Sequence, residues 1–221
     1  GSTSVVGGLG VGDGNVVANA RYGVQLLLGA QRHTIVGNSM YANADNGIFM
    51  TVFGLVNDVG DPDAGANNLQ NHPTVAPTIV GGDLVVDYTI DSTVVNSAYP
   101  IAIDVYIADA LGRSGQVYLG RATAAGPGTG NANLGNLTGA VAGQTIVATA
   151  TDANGNTSQF STPVVIPGPV APTISLDFDV AAGAPTTVDV ARGGIRVTDL
   201  DRGALGGAAA HVGAHAPHGH Q

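Results

Sequence analysis

Two stretches near the start of this chain repeat one another. Gly14-Asn15-Val16-Val17-Ala18-Asn19 runs on to Gly23-Val24-Gln25-Leu26, and Gly37-Asn38-Ser39-Met40-Tyr41-Ala42-Asn43 runs on to Gly47-Ile48-Phe49-Met50. The copies start 23 residues apart, and the second carries one extra residue before its last Asn. The apolar strokes are residues 4–6, 15–17, 23–26, 34–36, 39–41 and 47–50. Each is too short to stand as a sheet by itself. It must pair with the stroke one period above or below it, about 4.8 Å away, which is a stack of β-coils and not a packed globule. Gly14, Gly23, Gly37 and Gly47 are expected at corners that need positive φ. Asn19 and Asn43 are expected at matching corners, as a stacked amide ladder or as plain turn residues.

Composition excludes several classes. All 16 acidic residues are Asp and all seven basic ones are Arg, and 34 Gly and 11 Pro punctuate the chain, so almost no helix is expected. The net charge of −9 argues against nucleic acid and anionic membrane as partners and favours Ca²⁺. With no Cys there are no disulfides and no thiolate metal sites. No apolar run is long enough for a membrane-spanning helix, so no membrane insertion is expected. No basic segment followed by an apolar one opens the chain, which places any signal peptide outside this stretch.

The coils, with their Gly-Asn-x-hydrophobic-x-x-Asn-x-x-x-Gly-Ile pattern, resemble the right-handed parallel β-helix repeats of secreted bacterial proteins. The opening Val5-Val6-Gly7-Gly8 followed by Gly12-Asp13-Gly14-Asn15-Val16-Val17 is similar to that family's loop-and-coil pattern. Asp61-Pro62-Asp63-Ala64-Gly65-Ala66-Asn67-Asn68-Leu69-Gln70-Asn71 looks like the junction that joins a last coil to a β-sandwich in large secreted β-helix proteins. Residues 74–166 read as seven strands at sandwich spacing: 75–80, 83–90, 100–108, 115–123, 133–139, 143–151 and 157–165. Residues 148–158, with the turn signal Asn154-Gly155, resemble the closing hairpin of bacterial immunoglobulin-like domains. Residues 174–178 and 194–201 are similar to the opening of cadherin-like adhesin repeats.

The expected architecture is all-β: the end of a right-handed parallel β-helix joined to an immunoglobulin-like β-sandwich, with a disordered C-terminal tail. Its parts are coils over 3–56, an acidic connector over 57–73, the sandwich over 74–166, a linker and incomplete β module over 167–205, and the tail over 206–221. The sandwich carries a complete strand set and is expected to fold alone. The first coil has nothing above it, so the natural chain is expected to continue N-terminally with more coils. Residues 3–33 are expected to be the least protected, or to self-associate.

Among candidate sites the acidic connector ranks first. Asp61, Asp63 and Asn67 surround Gly65, with Asp58 just upstream, a density of oxygen ligands suited to Ca²⁺; the alternative is a solvated turn in which these side chains cap backbone N–H groups. A second acidic group is Asp177, Asp179, Asp199 and Asp201, and His211, His215, His218 and His220 form a metal-capable tail. Catalysis by a β-helix enzyme needs clustered carboxylates beside Arg or Lys. The coils hold only Arg21 and Arg32 with Asp13 and Asp45, and His33 reads as a loop residue, so no active site is expected. Tyr22 and Tyr41, at near-equivalent coil positions, are candidates for an outward sugar-binding stripe, the alternative being corner packing. The expected function is a non-catalytic structural or adhesive segment of a secreted or cell-surface (extracellular) bacterial protein, with surface or matrix polysaccharide and other surface proteins as partners. The alternatives are the accessory C-terminal region of a polysaccharide lyase or glycoside hydrolase, or a stand-alone glycan-binding module.

Overall fold

The computed structural model describes residues 3–50, 57–136, 142–168, 188–189 and 196–197. Contacts divide the chain into two units, Gly1–Ala171 and Pro172–Gln221. The described residues are all-β apart from one 3-10 turn, Ala66–Leu69.

Six short strands build two stacked coils. The first holds β1 (Ser4–Gly7), β2 (Val16–Ala18) and β3 (Val24–Leu26), and the second β4 (His33–Val36), β5 (Ser39–Tyr41) and β6 (Ile48–Met50). Each strand of the first coil pairs in parallel with its counterpart: Val6 faces Ile35, Val17 faces Met40, and Val24 faces Ile48. These register partners point into one apolar column. In the second coil they are sealed, with Ile35, Met40 and Ile48 at 1–2% exposure, whereas Val6, Val17 and Val24 stay half-buried. Ala66 and Leu69 from the 3-10 turn close the lower end of the column.

The corner chemistry differs from the expectation in two ways. Only Gly37 of the four repeat glycines has positive φ. Gly14 and Gly23 are required by crowding instead: a Cβ would lie 2.3 Å from the Gly37 carbonyl oxygen and 2.4 Å from that of Gly47. The left-handed corners are taken by Asn19 and Ala42. The amide ladder forms at Asn15 and Asn38, where Asn15 Nδ2 donates to Asn38 Oδ1 at 3.0 Å. Asn43 does not stack on Asn19. The extra residue moves it opposite Ala20, and its amide bridges the coil above by accepting from Ala20 N and donating to the Val17 carbonyl.

Two sheets follow. β7 (Thr74–Val80) and β8 (Asp83–Ile90) pair antiparallel, and β11 (Gly128–Asn133) lies on the other side of β8. The second sheet runs in the order β10 (Gly115–Ala124), β9 (Ile101–Ala108), β12 (Thr145–Thr151), β13 (Val164–Val165). Alternation places Leu84, Val86, Tyr88 and Ile90 of one sheet against Ile101, Ile103, Val105, Ile146 and Ala148 of the other in a single core. The strand expected over 133–139 lies earlier, at β11, and residues 137–139 of that range fall outside the described residues. The last expected strand, 157–165, survives as β13 and a single bridge from Thr157 to Thr151. The chain between runs irregularly along β12, with Ser158 N bonded to the Ala150 carbonyl and Ser161 N to that of Ala148.

The outer face of the second sheet is also buried. Asp104, Tyr106 and Val147 are at most 2% exposed, and Phe160 packs both on Tyr106 and against the coil core. The two coils are therefore the covering layer of this sheet.

In the second unit, β14 (Val188–Asp189) pairs antiparallel with β15 (Arg196–Val197). The remainder of the expected incomplete module, the expected tail, Asp177, Asp179, Asp199, Asp201 and the four tail histidines lie outside the described residues.

Candidate metal centre and the polar joint around it

The connector is short of apolar side chains, so its order must come from polar contacts. Asp61 is the centre of these. It sits at φ 63° with 1% exposure, and its Oδ2 accepts from Gln70 Nε2 at 2.7 Å, from Ser97 Oγ at 2.8 Å and from Ser92 Oγ. Its Oδ1 accepts from Asn71 N at 3.1 Å. The serines come from the loop between β8 and β9, so this one carboxylate ties the connector to the sandwich. Asn71 extends the stitch by donating to the carbonyls of Asp58 and Asp91, and Asn96 donates to that of Gly60.

Asp58, Asp61 and Asp63 each offer an oxygen within 4.8 Å of the others. Asp58 Oδ1 and Asp63 Oδ1 are buried and have no hydrogen-bond partner. Burial raises the Asp61 carboxyl above its ordinary range, against the pull of the Ser92, Ser97 and Asn71 donors. Asp63 is raised by burial and then by the charges of Asp58 and Asp61. A carboxylate trio of this kind has the hard oxygen donors a divalent cation takes, and two of those oxygens face no competing proton donor.

Asn67, expected as the fourth ligand, is elsewhere engaged. It is fully buried, accepts from His33 N at 3.0 Å, and donates to the carbonyls of His33 at 2.7 Å and Thr157 at 3.0 Å. With both amide atoms committed to backbone or to the groups beside it, it clamps and does not ligate. The sequence signal was present, since Asn is the residue that mimics a backbone turn, but the partners are 34 and 90 residues away.

Asn67 belongs to a row of clamps that sequence reasoning did not find. His33, Ile35 and Gly37 direct their N–H groups away from β1, toward an edge where a further strand would lie. Those groups donate to Asn67 Oδ1, Thr157 Oγ1 and the Tyr106 hydroxyl, each at 3.0 Å. Arg32 N donates to Asn156 Oδ1 at 2.8 Å. The turn 152–156 forms as its Asn-Gly signal implied, and its tip is what reaches the coil. Burial pushes the Tyr106 hydroxyl well above the usual phenol range, so it stays protonated and neutral. Gly47 completes the fit: its N–H donates to the Arg113 carbonyl, and a Cβ there would lie 2.8 Å from Phe160 and from Ser114 Oγ.

The Tyr22 and Tyr41 stripe does not form. The register sets Tyr41 opposite Ala18, and Asp45 beside Arg21, because the coils repeat at 23–24 residues and the two tyrosines are closer than that in sequence. Tyr22 is stacked on Phe49, with centroids 4.0 Å apart, and the Arg21 guanidinium lies 5.0 Å from its ring. His33, read as a loop residue, opens β4, and its Nδ1 meets Ser4 Oγ because the two are register partners.

No protein-family model matches this chain, and no curated protein matches it.

Proposed function

We propose that this chain is a non-catalytic structural segment of an extracellular bacterial protein, a fixed joint between a stack of β-coils and a sandwich domain. In this reading the coils are the end of a right-handed parallel β-helix and the sandwich is immunoglobulin-like. The three parallel strand pairs and the antiparallel three-plus-four strand arrangement support the assignment. The fourth sandwich strand, β10, lies beside the third, which gives the second sheet the width that the coils cover. The observation that carries the proposal is the clamped edge. Alternate backbone N–H groups along β4 and the residue after it are received by side chains of Asn67 in the connector, Thr157 beside the closing turn and Tyr106 in β9, so this edge of the coil is satisfied without another strand. Such a joint transmits orientation, which suits a stalk or an adhesin.

The test uses the absence of native Cys. Spin labels on Cys introduced at the exposed residues Leu28 and Val117 should give one narrow distance distribution. Asn67→Ala should broaden it. A broad distribution in the parent chain would remove the joint from consideration.

We further propose that Asp58, Asp61 and Asp63 hold Ca²⁺, on the strength of the two partnerless buried oxygens. The ion would offset most of the trio's negative charge and brace the connector. Ca²⁺ should raise the melting temperature, and Asp58→Asn with Asp63→Asn should abolish the rise. Identical melting curves with Ca²⁺ and with chelator would leave the connector as a polar stitch alone.

A further inference from the structure

We infer that Asn154 is a site of spontaneous covalent modification, deamidation to aspartate and isoaspartate, and that the isoaspartate product unfastens the closing turn from the coil. The site rests on the geometry of the turn itself; its consequence rests on the reading of that turn as part of the joint.

An Asn followed by Gly can close a five-membered ring, because no Cβ hinders the Gly nitrogen as it approaches the Asn side-chain carbonyl. The chain has two such steps, Asn46-Gly47 and Asn154-Gly155. The fold treats them differently. Gly47 is buried, its N–H donates to the Arg113 carbonyl at 3.1 Å, and Phe160 and Ser114 fill the space beside it. A ring cannot form there without parting this coil corner from the sandwich. Asn154 is exposed, and among the described residues its side chain makes no hydrogen bond. The turn is fastened through its neighbours instead. Asp152 Oδ1 accepts from Asn156 N, its Oδ2 accepts from Asn156 Nδ2, and Ala153 N donates to the Ala98 carbonyl. The Gly155 N–H is held by a single bond, to the Asp152 carbonyl at 2.9 Å. A larger residue after Asn154 does not fit, since Gly155 sits at φ 90° and a Cβ there would lie 2.8 Å from Thr34 Oγ1. The close approach that makes the joint therefore also fixes the reactive neighbour.

In the reaction Gly155 N loses its proton to solvent base and attacks Asn154 Cγ. The Cγ–Nδ2 bond breaks, the side-chain nitrogen takes up a proton and leaves as ammonia, and water then opens the succinimide ring. Opening at Cγ gives aspartate. Opening at the main-chain carbonyl gives isoaspartate, whose main chain runs through Cβ and Cγ and is one carbon longer. That carbon falls inside a turn whose Gly155 carbonyl accepts from Thr34 Oγ1 at 3.2 Å and whose Asn156 Oδ1 accepts from Arg32 N at 2.8 Å. A turn lengthened between its two fastened ends cannot keep both contacts with the coil.

The experiment incubates the folded chain in mildly alkaline buffer and follows each Asn by peptide mapping. Conversion adds roughly one mass unit, and fragmentation tells isoaspartate from aspartate. Asn154 should convert about tenfold faster than Asn46, whereas in urea the two should convert at similar rates. In the isoaspartate fraction the Arg32 amide should exchange hydrogen about tenfold faster than in the fresh chain, with the amides of Ile103 and Ile146 unchanged in an intact sandwich. Asn154→Gln, whose longer side chain cannot close the five-membered ring, should stay unconverted and keep slow exchange at Arg32. Asn46 keeping pace with Asn154 in the folded chain would overturn the site. Isoaspartate at position 154 with Arg32 exchange unchanged would overturn its effect on the turn. The spin-label distances are read on the fresh chain, so a failure of the joint and a failure of this site are told apart.

Discussion

Asn67 shows how one side chain can decide a local architecture. Its amide meets a strand N–H, a strand carbonyl and the carbonyl of Thr157, all removed from water. Asn67→Ala leaves those groups without partners and should cost about 2–4 kcal/mol, measured by denaturant unfolding. Asn67→Asp keeps the acceptor but loses both donors and buries a charge, so it should be no better tolerated; a change below about 0.5 kcal/mol for either would mean that water replaces the clamp. The titrating residues nearby act in opposite senses. Burial lowers the His72 pKa, so the stability it contributes is complete above about pH 6.5 and is lost as pH falls through the folded value. Asp61 and Asp63 are raised, so their contribution is complete below about pH 3.9 and is lost as pH rises through their folded values. His72→Gln should therefore flatten the fall in melting temperature below pH 6.5. Asp63→Asn should flatten the dependence at more acid pH and leave the His72 limb unchanged.

At the scale of elements, β9 does two jobs through the alternation of a strand. Ile101, Ile103 and Val105 fill the sandwich core, while Asp104 and Tyr106 face the coils. The carboxylate of Asp104 is fully buried and receives the Arg121 guanidinium from β10 at 2.9 and 2.8 Å, with the Tyr118 hydroxyl donating at 3.3 Å. The hydrogen bond to Asp104 raises the Arg121 pKa, and burial pushes Tyr118 up to about 12. Removing one partner leaves a buried charge. Arg121→Met should destabilise by about 2–3 kcal/mol, below the usual range for a buried pair because Arg121 is one-third exposed and partly screened by water. Restoring a neutral neighbour with Asp104→Asn in the same chain should recover most of the loss. A double variant no more stable than Arg121→Met would show that β9 and β10 are held by packing alone.

For the whole molecule, the sandwich core is complete within its own strands, yet one of its faces is finished by other parts of the chain. Residues 74–166 expressed alone should melt cooperatively with β circular dichroism, but at a lower temperature than the full chain. The cut bares Tyr106, Val147 and Phe160. The fragment should also associate at rising concentration through this apolar face, and detergent below its critical micelle concentration should suppress that association. A melting temperature equal to that of the full chain would mean that the coils contribute nothing to the sandwich.

The strokes of the coils, the 23-residue repeat and the alternation of β8 and β9 were legible in the sequence because each depends on residues close in the chain or one period apart. The clustering of Asp58, Asp61 and Asp63 was legible for the same reason: a few residues of turn hold them together. The role of Asn67, the shift of the amide ladder to Asn15 and Asn38, and the separation of Tyr22 from Tyr41 were not. Each depends on register, which a single inserted residue changes, or on a partner brought in from far along the chain. Short polar side chains carry the same propensity whether they cap a turn, bind an ion or clamp a strand edge. Which of these they do is decided by the backbone groups that folding sets beside them, and those are chosen by tertiary packing.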